Sequence, residues 1–163
     1  NCRFTNCNFA ETDLSKITFI DCMFDNCNLS AANISGTSFQ ETKFVNCKLL
    51  GLHFENCNSF LFTVQFDHCL LNLSGFFKMN LKAFQFIHCS LQEVDFTEAD
   101  LSGAVFHECN LLGAMFEQTN LEKADLRTAI NFAIDPELNK LKKAKFSMAG
   151  LIGLLHKYEL TVS

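Results

Sequence analysis

Three sets of side chains in this chain have types and spacings that can do chemistry. The first is nine cysteines in 163 residues. Cys2 and Cys7 form a C-x₄-C pair, as do Cys22 and Cys27. Thiols so placed suit a disulfide or a tetrahedral zinc site. The second set is His68, His88 and Glu108, whose imidazoles and carboxylate are all zinc ligands. His107-Glu108-Cys109 faintly resembles part of a hydrolytic motif, but no partner motif, nucleophile–base pair or phosphate loop accompanies it. GLIGLL at 150–155 lacks phosphate-binding spacing. No enzyme activity is therefore expected. The third set is an acidic block. Residues 91–125 carry eight acids and one base, residues 1–90 seven acids and six bases, and residues 126–163 three acids and six bases. Glu93, Asp95, Glu98, Asp100, Glu108, Glu117, Glu122 and Asp125 make up the block. They either keep the surface soluble or imitate duplex DNA, which carries one charge per ~1.7 Å. The body of the chain has no basic stripe, so direct nucleic-acid binding is not expected.

The elements that must position these groups are set by a repeat of five. Stepping from Phe4 meets Phe9, Leu14, Phe19, Phe24, Leu29, Ile34, Phe39, Phe44, Leu49 and Phe54. Stepping again from Phe66 meets only Phe and Leu as far as Leu126, and all 24 positions are Phe, Leu or Ile. Twelve residues, not ten, separate Phe54 from Phe66, so two residues are inserted near 57–61. A step of five matches neither a helix nor a flat strand, and it requires a backbone that turns at every repeat. Two residues before each large apolar position lies a smaller one, and all nine cysteines occupy it. The other positions are mostly polar and face outward.

Composition agrees with a packed, water-facing chain. It has 19 Phe, one Tyr, no Trp and 48% hydrophobic residues, far too apolar for disorder. Its apolar runs are too short to span a membrane, and no signal segment opens the chain. The chain starts at Asn1, already inside the repeat, so further sequence is expected before it to cover the first coil.

The repeats ADLSG (99–103), CNLLG (109–113), TNLEK (119–123) and ADLRT (124–128) resemble the A(D/N)LXX pattern of the pentapeptide-repeat family. The resemblance covers residues 2–128. It implies an all-β fold, a right-handed quadrilateral β-helix of about six coils with four pentapeptides per coil, stacked ~4.8 Å apart. Residues twenty apart then stack. Allowing for the insertion, Cys7, Cys27, Cys47, Cys69, Cys89 and Cys109 form one column. Phe4, Phe24, Phe44, Phe66, Phe86 and Phe106 form a second, with a leucine column from Leu29 to Leu111 beside it. Stacked cysteines point the same way and lie on a filled tube, which suits neither a disulfide nor a zinc ion. They are expected as packed, reduced thiols, which implies a cytoplasmic protein. A filled tube leaves no room for a cofactor or small-molecule substrate. His68, His88 and Glu108 stack outward above Asn6, Asn26 and Asn46. A straight row does not converge on one ion, so no metal site is expected.

Two interruptions remain. Asn58, Ser59 and Phe60 at the insertion form either a kink or a functional loop. After Thr128 the pattern fails, and residues 129–163 are expected to cap the tube and dimerise. Asp135-Pro136-Glu137 has the residues of a helix start or a turn. A basic stretch from Lys140 to Lys145 follows, and then SMAGLIGLLHKYEL (147–160). Ser147 is the expected N-cap of a short α-helical cap there. Met148, Leu151, Ile152, Leu154, Leu155 and Tyr158 make an apolar stripe wider than capping needs, so a homodimer through this tail is expected. An acidic-to-neutral β-helix with an apolar tail is similar to the Qnr-type quinolone-resistance branch. That resemblance implies a DNA-mimicking dimer acting on DNA gyrase or topoisomerase IV, with Glu93, Asp95, Glu98, Asp100, Glu108 and Glu117 as partner-binding residues. The alternative is a passive interaction or scaffold module for another partner, using the insertion at 57–61 with Asn58, Ser59 and Phe60, or one flat face.

Overall fold

The structure is a computed structural model that describes residues 1–160. The last three residues of the expected capping segment, 161–163, lie outside the described residues. Eight short strands form: β1 (Cys2–Thr5), β2 (Thr18–Ile20), β3 (Cys22–Asp25), β4 (Ser38–Gln40), β5 (Thr42–Val45), β6 (Val64–Asp67), β7 (Gln85–Ile87) and β8 (Val105–His107). All pair in parallel, in the orders β1-β3-β5-β6-β7-β8 and β2-β4. Register follows the sequence step. Phe4 lies against Phe24, Phe24 against Phe44, Phe44 against Phe66 across the insertion, then Phe66 against Phe86 and Phe86 against Phe106. Single bridges such as Asn28–Lys48 and Asp95–Met115 join the coils elsewhere. The chain is a parallel β-solenoid, the architecture of a pentapeptide-repeat β-helix.

Each letter of the repeat has a physical reason. The large residue fills the tube: Phe24, Phe44, Phe86 and Phe106 are fully buried, with successive rings 4.8–5.8 Å apart and nearly parallel. Rings around one coil meet edge-on, as Phe86 does with Phe96, so each benzene face and edge finds its preferred partner. The carbonyl of the large residue accepts the N–H three residues on, as Leu101 O does from Ala104 N. Its second lone pair is open to the small residue of the next coil. Cys47 Sγ donates to Phe24 O, Cys109 Sγ to Phe86 O and Thr119 Oγ1 to Phe96 O. Cysteine is therefore used here as a small hydrogen-bonding core residue. All nine cysteines are free. Burial pushes the Cys57 thiol up to about 12, helped by Glu55. The neighbouring sulfur of Cys89 and then burial push Cys109 up.

The residue before each large one is often Asp or Asn because its side chain closes the turn. Asp13, Asp95, Asp100 and Asp125 each accept the N–H two residues on, at 2.8–3.2 Å. Two residues after each large one the backbone turns left-handed. Glu93, Glu98, Glu108 and Lys123 have φ of 50–61° there, and Gly103 and Gly113 have 70°. Non-glycine residues tolerate this at a cost of ~1–2 kcal/mol each, offset by the interchain-like ladder that the turn makes possible, for example Glu98 N–H to Glu117 O.

Two expectations change in the tail. The α-helix expected over 147–160 is instead two 3₁₀ segments, Ala149–Leu154 and His156–Tyr158. The N-cap of the first is Met148 rather than Ser147, although Ser147 Oγ accepts Gly150 N–H at 3.0 Å. Gly150 and Gly153 weaken a helix there. The tail also packs down so closely that a Cβ on Gly153 would collide with Phe132 O. The carbonyl of Gly153 is taken by Ile134 N–H at 2.9 Å, which a continuous helix could not offer. Parallel pairing, moreover, does not stop where the five-residue pattern fails: Asn120–Lys140 and Asp125–Lys145 are bridged. Leu141 and Phe146 return to the core in phase with Leu121 and Leu126.

Candidate functional site

Inside the tube nothing is free to react, so the candidate sites are outward. The acids expected to bind a partner fall on several edges. Glu93 and Glu98 occupy successive left-handed corners and are exposed. Asp95 lies between them and Asp100 just after, both half-buried and tied to their turns. Glu117 is exposed one coil further on. Two of these charges are met from the preceding coil: Lys78 Nζ lies 3.3 Å from Glu98 and Lys82 Nζ 3.4 Å from Asp100. Burial opposes the Asp100 charge, but hydrogen bonds from Ser102 and the Lys82 ammonium outweigh it and hold the carboxyl below the usual range. Glu108 stands apart, in the corner column of His68 and His88.

That column is not the straight row expected from sequence. The rings of His68 and His88 stack at 4.3 Å. Asp67 joins from the preceding position, its Oδ1 2.7 Å from His68 Nδ1 and 3.8 Å from His88 Nδ1. On the other side Glu108 reaches His88 Nε2 at 3.4 Å and His107 Nε2 at 3.8 Å. Two groups, Asp67–His68–His88 and His88–His107–Glu108, each bring three ligand atoms within 4.8 Å of one another. The row converges because side chains one position back along the chain lean into the corner. Folding the sequence in twenties would have placed Asp67 and His107 beside the column.

The insertion produces a different surface. Phe54–Asn56 tightens to a 3₁₀ turn, and the chain from Asn58 to Thr63 makes no backbone hydrogen bond with the coil above, Lys78 to Phe84. An open groove of about 870 Å³ lies between them, lined by Leu61, Phe62, Phe77, Met79, Lys82 and Phe84 among others. Phe60 stands at its edge, 70% exposed. Asn58 is held by its Nδ2 donating to Ser38 Oγ at 3.0 Å, and its Oδ1 accepts Phe60 N–H. Ser59 lines the groove.

The six apolar residues expected at a dimer face divide. Met148, at 86% exposure, and Leu151, Ile152, Leu155 and Tyr158 are exposed. Leu154 packs against the core instead. Lys157 pins the segment to the coil end through Asp135 at 3.0 Å and Glu137 at 2.7 Å.

Residues 1–76 match the family described as pentapeptide repeat region, and residues 89–127 match pentapeptide repeats in eight copies. This chain belongs to the pentapeptide-repeat family. Two similar solved structures are trypsin-treated forms of QnrB1, a plasmid-mediated fluoroquinolone resistance protein. One is 21% identical with a TM-score of 0.61, covering 99% of this chain and 87% of that one. The other is 22% identical with a TM-score of 0.57, covering 99% and 88%. At these identities the likeness is one of fold. No curated protein matches the chain in sequence. Among the described residues of this pentapeptide-repeat protein, no helix is long and apolar enough to cross a membrane.

Proposed function

We propose that this protein is a non-enzymatic, DNA-mimicking interaction module that works in the cytoplasm as a homodimer and modulates quinolone action on a type II topoisomerase such as gyrase. The observation that carries this is the likeness of nearly the whole chain to QnrB1, a fluoroquinolone resistance protein. Supporting it, the interior is packed, so interaction must use the outer surface. Glu93, Glu98 and Glu117 present carboxylates there that the turns do not need. The exposed row Met148, Ile152, Leu155 and Tyr158 supplies the apolar area for pairing two copies through their tails. In this reading the topoisomerase meets the coils carrying Glu93 to Glu117, and neither nucleic acid nor a small molecule is bound directly.

A gyrase supercoiling assay with and without a quinolone tests the proposal. The protein is expected to inhibit supercoiling or to protect it from the drug. Neutralising Glu93, Asp95, Glu98 and Asp100 together should abolish the effect while the fold persists. An effect that survives this change would sink charge mimicry at these coils.

A second reading is favoured by one observation, the groove beside the insertion with Phe60 and Leu61 exposed at its edge. A passive scaffold would bind its partner there. Phe60→Ala would then weaken partner capture, whereas the acid variant would not.

A further inference from the structure

We propose that His88, His107 and Glu108 form a binding site for one divalent transition-metal ion of zinc's class. Three observations converge on it. First, the donor atoms already approach the spacing the ion needs, all three lying within 4.8 Å of one another. Bonds of about 2.0–2.1 Å in a tetrahedron put neighbouring ligand atoms about 3.3–3.4 Å apart. Glu108 Oε2 lies 3.4 Å from His88 Nε2, and Glu108 Oε1 lies 3.8 Å from His107 Nε2. Second, the backbone beneath them is fixed. β7 pairs with β8 at Ile87–His107, His88 N–H donates to His107 O at 2.8 Å, and Glu108 N–H donates to Thr128 Oγ1 at 2.9 Å. Little ordering is left for binding to impose.

Third, the far side of His88 is prepared. Its Nδ1 is buried without a hydrogen-bond partner, and the atom facing it is Asp67 Oδ1 at 3.8 Å. A carboxylate that closes to hydrogen-bond distance behind the non-ligating nitrogen on binding would fix the tautomer that offers Nε2 to a metal. His68 stacks on the same ring and limits its rotation. The alternative group, Asp67–His68–His88, is not the site. Its Asp67–His68 contact of 2.7 Å is a hydrogen bond, shorter than the edge of a zinc tetrahedron.

Two imidazoles and one carboxylate select zinc, nickel, cobalt or copper over magnesium or calcium, which take oxygen ligands. Three protein ligands leave a fourth position, and it faces solvent, where water or a ligand from a binding partner completes the shell. His88 belongs to the coil before that of His107 and Glu108, so bound metal would clip two consecutive coils along one edge.

Isothermal titration of the whole chain with Zn²⁺ and, separately, with Mg²⁺ is the test. One Zn²⁺ per chain and no Mg²⁺ binding are expected. His88→Ala or His107→Ala should each weaken zinc by about 100-fold or more, and Asp67→Asn by about 10-fold. His156→Ala should leave it unchanged. Circular dichroism checks that each variant is folded, and Glu108→Gln replaces any that is not. No stoichiometric zinc would overturn the proposal, as would full affinity in His88→Ala. Binding that disappears only when the exposed Cys2 is alkylated would assign the ion to a thiol and overturn it equally.

Discussion

The wall of regular coils and the wall broken between Cys57 and Val64 are made from the same kinds of residue, yet they behave as opposites. In the regular wall Phe86 is stacked above and below, edge-packed at its sides and fully buried. At the break Phe60 is no less hydrophobic and stands in solvent. Two extra residues are the cause. On that wall the backbone makes no hydrogen bond with the next coil, and a groove opens. Burial in this fold is thus a matter of phase more than of side-chain type. A hydrophobic residue one step out of register becomes surface.

The widest gap between the two walls should appear on truncation. Phe86→Ala leaves a hole in a column that cannot collapse, because each coil is held by its neighbours' ladders. A cost of about 3–5 kcal/mol is expected. Phe60→Ala should change stability by no more than about 0.5 kcal/mol. Urea unfolding of both variants measures the difference, and comparable losses would mean that Phe60 is buried in solution. A milder change converts one wall into the other. Deleting Asn58 and Ser59 restores the step of five, bringing Leu61 five residues after Phe54 and Phe66 five after Leu61. Two or three ladder bonds at about 1 kcal/mol each, less the cost of a left-handed Thr63, should stabilise the chain by roughly 1–2 kcal/mol. The amides of Leu61 and Asn80 should gain protection from hydrogen exchange. A destabilised, unprotected variant would show that the groove is needed for folding.

Phase also explains what was legible in the sequence. The step of five and the phenylalanine and cysteine columns were all visible, because a solenoid writes its contacts at a fixed interval. The insertion was visible as a slip of two, but the groove was not, since its depth depends on which backbone bonds fail to re-form. The last coil was missed for a related reason. Asn131 and Pro136 occupy two large inward steps, and Phe132 and Ile134 fill the core from neighbouring positions. Leu141 and Phe146, still in phase with Leu126, were the signal that pairing continues. The helix expected from the tail's apolar spacing yielded to Gly153, which lets the chain press onto Phe132. At the histidine corner, His68, His88 and Glu108 were legible as a column. Their convergence was not, because it depends on Asp67 and His107 leaning in from the adjacent position.

The smallest effect expected separates acids that build the wall from acids that decorate it. Asp100 Oδ1 accepts Ser102 N–H at 3.0 Å and Asn120 Nδ2–H at 3.1 Å from the next coil. Glu93 makes no such bond. Asp100→Ala should therefore cost about 1 kcal/mol, and Glu93→Ala close to nothing. Asp100→Asn keeps an acceptor oxygen for Ser102 and loses only the exposed Lys82 pair, worth about 0–1 kcal/mol. The Asp100 charge also makes stability depend on pH. The folded Asp100 carboxyl titrates below the ordinary value of 3.8, so its ionised form adds stability above that value. The contribution is lost as pH falls through the folded value. Asp100→Asn should show a smaller drop in melting temperature than the parent on acidification past 3.8. Equal acid sensitivity in Asp100→Asn and the parent would mean that the Asp100 carboxylate does not belong to the wall. The carboxylates available to a partner would then number more than the corners alone.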